Sequence, residues 1–81
     1  MYGPDHHEVA ATLSNLGNVQ QLLGRLDEAE TTQRRALAIE EAVYGPDHHE
    51  VAATLGNLGI VQRLLGRLDE AETTLERALP I

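Results

Sequence analysis

Apolar residues recur along this chain at intervals of three and four, the spacing of one face of a helix. Val9, Leu13, Leu16 and Leu23 make the first run, with Gln20 holding one of its places. Gly24 follows Leu22 and Leu23 and suits a helix stop, where a left-handed residue is wanted. Leu26, Ala29, Ala36, Leu37 and Val43 give a second helix its stripe, and Gly45-Pro46 ends it. Leu55, Leu58 and Leu65, then Gly66, then Leu68, Ala71, Leu75 and Ala78 follow the same plan. The pattern predicts an all-α chain of four helices. Asp5 with Glu8, and Asp47 with Glu50, have the spacing of a capping box at the first and third helix starts. Asp27 and Glu28 fall in a first turn, at the positive end of the helix dipole. Glu30 and Arg34 form a favourable i,i+4 pair.

The plan repeats because the sequence repeats. The stretch from Tyr2 to Ile39 returns from Tyr44 to Ile81 at an offset of 42 residues, with 32 of 38 aligned positions identical. The chain thus reads as one domain, 1–81, with a first repeat at 2–43 and a truncated second at 44–81. It looks like a piece of a longer array, natural or engineered. Gly17 and Gly59 stand in mid-helix, where glycine costs about 1 kcal/mol relative to alanine. That cost predicts the close approach of another backbone. Ala29, Ala36, Ala71 and Ala78 likewise predict tight helix packing.

These residues resemble the tetratricopeptide repeat, whose unit is a helical hairpin. Leu13-x-x-Leu16-Gly17-x-x-Gln20 and Ala29-x-x-x-Gln33-x-x-Ala36 take the family's places, as do Leu55, Leu58, Gly59, Gln62, Ala71, Leu75 and Ala78 in the second copy. Three features depart from the family pattern. Leu or Gln replaces the aromatics, Glu41 stands where a proline is expected, and the period is 42, against about 34 in the family. The extra residues are roughly two helical turns, and they are expected at the end of the second helix, through Tyr44. This longer form is similar to the kinesin light chain-type subgroup. The resemblance implies an αα-hairpin solenoid, a right-handed superhelix whose first helices line a concave, ligand-binding surface. It further implies a scaffold for peptides or partner proteins.

The differences between the copies point to a surface. Ser14 against Gly56, Asn18 against Ile60 and Gln21 against Arg63 lie at spacings of four and three, so they form one helix stripe. The stripe coincides with the groove that the resemblance implies, and in related repeats an Asn at the place of Asn15 and Asn57 contacts ligand backbone. Asn15, Asn18, Gln21, Asn57, Ile60 and Arg63 are therefore the candidate partner contacts. The remaining differences are Gln33 against Leu75, Arg34 against Glu76 and Ala38 against Pro80. Leu75 and Leu79 belong to an apolar stripe that a further repeat would cover, and stacked repeats generally need about three units. They are candidates for self-association into a homo-oligomer, by repeat stacking or by exchange of a hairpin. A purely structural module whose main partner is itself is the alternative to the scaffold.

Composition narrows the chemistry. The net charge is −7 and all six basic residues are Arg, which argues against nucleic acid and anionic membrane surfaces. No apolar run approaches a membrane span, no signal peptide opens the chain, and a cytoplasmic location is the default. There is no Cys, and the only aromatics are Tyr2 and Tyr44, so the core must be aliphatic. His6, His7, His48 and His49 are minor metal candidates, because adjacent histidines at a helix start diverge and zinc sites favour His at i and i+4. No nucleophile motif or phosphate-binding glycine loop is present. No enzyme activity and no cofactor are expected.

Overall fold

The computed structural model describes residues 6–81. Four helices follow in order: α1 (His7–Leu22), α2 (Leu26–Tyr44), α3 (His49–Leu64) and α4 (Leu68–Ala78). Among the described residues there is no strand. Consecutive helices pack on each other, and α1 also touches α3. The Cα positions span 37 × 30 × 13 Å, a thin plate in which most side chains keep a solvent face.

Glycine sets the short turns within each hairpin. Gly24 has φ +79° and Gly66 φ +82°, a region open to glycine and strained for other residues. The Arg25 N–H donates to the Gln20 carbonyl at 2.8 Å and the Gly24 N–H to the Gln21 carbonyl at 3.0 Å. This is the paired Schellman pattern, which satisfies carbonyls at the end of α1. Arg67 and Gly66 repeat it on Gln62 and Arg63. α2 runs 19 residues, through Tyr44, where the extra turns were expected.

The helix starts differ from the expected capping box. Asp5 lies outside the described residues, and α1 is capped by His6, whose Nδ1 accepts from the Glu8 N–H at 3.1 Å. Asp47 is not the cap of α3. His48 is, through Nδ1 and the Glu50 N–H at 3.1 Å. The helix begins one residue later than the box requires, so Glu50 stands second in it rather than third.

Two aliphatic clusters form the core. Ala10, Leu13, Ala36 and Ile39, with Val9 against them, fill the first hairpin. Leu37 of α2 joins Val51, Leu55 and Leu58 of α3, with Ala78 and Ile81 packed beside them. The second cluster is the joint between the hairpins, and it makes equivalent residues unequal. Leu58 is 3% exposed and Val61 0%, while Leu16 is 45% and Val19 52%. The face of α3 lies under α2, and among the described residues no helix lies over the same face of α1, which leaves Leu16 exposed. Leu23, Val43 and Leu68, also expected on buried stripes, are exposed too.

The atoms that come nearest to the mid-helix glycines belong to side chains, not to backbone. A Cβ on Gly17 would stand 2.5 Å from Nε2 of Gln33, and one on Gly59 would stand 2.5 Å from Cδ2 of Leu75. A long side chain of the partner helix fills the space over each glycine. The close approach was legible in the sequence, but its agent is a side chain.

Candidate functional site

The first helices of the two hairpins meet edge to edge, where Asn57 Nδ2 donates to Ser14 Oγ at 3.4 Å. This bond sets the stripe of α1 beside that of α3. Asn15 is exposed on α1, and Asn18 and Gln21 are half-buried. On α3, Asn57 is half-buried, while Ile60 and Arg63 are exposed. The spacing continues to Leu22 and Leu64, both exposed, which sequence reasoning passed over as helix-end residues. Their signal was available: each lies four residues beyond a position already in the stripe, Asn18 or Ile60.

Gln33 changes how the differing positions are read. It is fully buried, and its Nε2 donates to the Ser14 carbonyl at 3.1 Å and to Asn18 Oδ1 at 3.3 Å. Ser14 Oγ donates to Gln33 Oε1 at 3.5 Å. Three of the first copy's differing residues are thus one hydrogen-bonded cluster inside a hairpin, and their counterparts Gly56, Ile60 and Leu75 carry no side-chain polar group. Burying an amide requires that its hydrogen bonds be met, so these positions change together. Asn18 has its oxygen committed to Gln33. Asn15, Gln21, Ile60 and Arg63 face solvent to differing degrees, with Arg63 adding the stripe's positive charge.

Charged groups bind the hairpins to each other on the opposite helices. Glu30, buried on α2, holds Arg34 at 3.1 Å and Arg67 at 2.6 Å. Burial alone would raise its carboxyl above the usual range. The hydrogen bonds from Arg67 and Arg34 and their charges outweigh that and hold it below. Glu41 pairs with Arg77 at 2.7 Å. Glu40 is the opposite case. It is buried, and burial raises its carboxyl, opposed by a hydrogen bond from Thr54 and aided by the charge of Glu50. Its Oε1 has no hydrogen-bond partner among the described residues.

The histidines gather at one end. Tyr44 stacks on His48 with ring centres 4.1 Å apart and planes 13° apart, and His7 lies 6.4 Å from Tyr44. His6, His7 and Glu8 have ligand atoms within 4.8 Å of one another. Zinc, with Zn–N near 2.0–2.1 Å, draws neighbouring ligand atoms to roughly 3.3–3.5 Å, so this group would have to contract to hold one. His6 and His48 are also engaged as caps.

Leu75 on α4 and Leu79 just after it are exposed beside a shallow groove that Arg63, Leu68 and Glu72 also line. No helix among the described residues is long and apolar enough to cross a membrane. A family model described as tetratricopeptide repeat matches residues 8–81. No curated protein matches the chain.

Proposed function

This chain belongs to the tetratricopeptide-repeat family, and on that premise we propose that it is a scaffold binding a peptide or protein segment along α1 and α3. Repeats of this family generally mediate protein–protein interactions and are typically non-catalytic. In this reading 2–43 and 44–81 are two units of a right-handed solenoid, of the longer kind found in the kinesin light chain-type subgroup.

The observation that carries the reading is the Asn57–Ser14 hydrogen bond, which sets the stripe of α3 beside that of α1, where Asn15 is exposed. Side-chain amides in two rows offer donors and acceptors to an extended backbone. Ile60, Leu22 and Leu64 add apolar contact, and Arg63 favours an acidic residue in the ligand. The test is selection from a displayed peptide library. Peptides enriched by the chain should lose binding about tenfold or more to the Asn15→Ala, Asn57→Ala double variant, a loss of the size expected for two ligand hydrogen bonds. Equal binding by both proteins contradicts the reading.

A second reading, self-association through the ends of the plate, has its own observation in the exposed Leu16 and Val19 on α1, Leu75 on α4 and Leu79 just after it.

A further inference from the structure

We propose that one occupant, a second copy of this chain, fits both ends of the plate: α1 of one copy lies on α4 of another in the register in which α3 lies on α2. This deepens the self-association reading and rests on it.

The joint between the hairpins is the template. It is made by two stretches that each recur once more in the chain, because 32 of 38 positions are identical at an offset of 42. The partner face of α3 recurs on α1, and the partner face of α2 as far as Ile39 recurs at residues 68–81. Inside the chain, Leu37 is buried on Val51, Leu55 and Leu58. Moved by one period, that contact becomes Leu79 of one copy on Val9, Leu13 and Leu16 of the next. Leu79 is 82% exposed where Leu37 is 7%. The receiving surface is already shaped, as a shallow pocket lined by Glu8, Val9, Thr12 and Leu13.

Charge follows the same translation. The Glu30–Arg67 pair at 2.6 Å becomes Glu72 with Arg25 of the next copy, and both of these are exposed in a single chain. Three contacts do not survive, the first being the Glu41–Arg77 pair, because a shift of 42 from Glu41 passes Ile81. The Arg34–Glu70 pair at 3.6 Å becomes Glu76 opposite Glu28, a repulsion. The Asn57–Ser14 bond becomes Asn15 opposite Gly56, which has no hydroxyl. The joint between copies is therefore weaker than the joint within one, and association is reversible. A head-to-tail contact of this kind does not close on itself, so it grows beyond a dimer.

Sedimentation velocity of the 81-residue chain tests this. The average sedimentation coefficient should rise with concentration and pass the value of a dimer. Leu79→Asp removes one end and Leu16→Asp the other. Each variant alone should sediment as a monomer, and their equimolar mixture should form a one-to-one pair that grows no further. Both side chains are exposed in the single chain, and circular dichroism should show unchanged helix. Glu76→Arg restores the internal charge pattern and should tighten assembly about two- to fivefold, the range of a surface ion pair. A parent chain that stays monomeric up to millimolar concentration overturns self-association altogether. A parent chain that assembles, with single variants that still assemble or a mixture that does not pair, overturns this register alone.

Discussion

Gly17 and Gly59 occupy equivalent places in the two copies, yet a methyl group added to each meets a different obstacle. At Gly17 it meets Gln33, which is sealed in and hydrogen-bonded to Ser14 and Asn18. At Gly59 it meets Leu75, which is 40% exposed and has room to swing outward. Overpacking costs typically 1–3 kcal/mol, against a helix-propensity gain of about 1 kcal/mol for alanine. Urea titration should therefore find Gly17→Ala less stable by about 1 kcal/mol, and Gly59→Ala near neutral. The two buried glutamates of α2 also have opposite signs. Glu30 has a lowered pKa, so its stabilising contribution is present above the ordinary carboxylate range and fades as pH falls through its folded value. Glu40 has a raised pKa, so the protonated form favours the fold, and that contribution is lost as pH rises through its folded value. At neutral pH, Glu30→Gln should cost about 1–2 kcal/mol, moderated because its arginine partners are half in solvent. Glu40→Gln should stabilise at the same pH. Both effects should shrink toward zero in acid, and thermal melts across the acid range would show it.

Each hairpin is one solution to the same packing problem, with the space over the mid-helix glycine filled by Gln33 in the first and by Leu75 in the second. The exchange Gln33 for Leu75 makes sense only with Asn18 for Ile60. Gln33→Leu alone strands Asn18 and the Ser14 carbonyl without their partner, whereas Gln33→Leu with Asn18→Ile transplants the second solution. A double-mutant cycle should give a coupling of about 0.5–1.5 kcal/mol favouring the pair, and additivity would refute the linkage. The elements themselves were legible in the sequence. Leucine spacing located all four helices, Gly24 and Gly66 marked their stops, and the added length was rightly placed at the end of α2. The caps were missed by one residue because an imidazole nitrogen can do the work of a carboxylate oxygen, and Pro-Asp-His-His offers both. The Gln33 cluster was not legible, because a side chain reaching a helix 15 to 19 residues away leaves no mark in a periodicity of three and four.

At the scale of the molecule, position in the stack decides burial more than residue type does. Leu16 and Leu58 are equivalent leucines of the two copies, and the helix over Leu58 is what buries it. No reading of one copy alone could tell them apart. Local stability should follow the same gradient, since protection tracks buried contact. Amide hydrogen exchange should be slowest in α3 and the second half of α2, around Val51, Leu55 and Leu37, and fastest in α4. Uniform protection across the helices would contradict a joint-centred core. The candidate site was partly legible. Asn18, Gln21, Ile60 and Arg63 were read from differences between the copies and Asn15 and Asn57 from the family resemblance, but Ser14 and Asn18 serve internal packing, and Leu22 and Leu64 emerged only with α1 and α3 side by side. Amide chemical-shift mapping of a selected peptide on the end-blocked Leu79→Asp monomer bears most directly on the proposed role. The account predicts shifts clustered at Asn15, Gln21, Asn57, Ile60 and Arg63, with α2 and α4 quiet. Shifts confined to the outer helices, or to the ends around Val9 and Leu75, would contradict it.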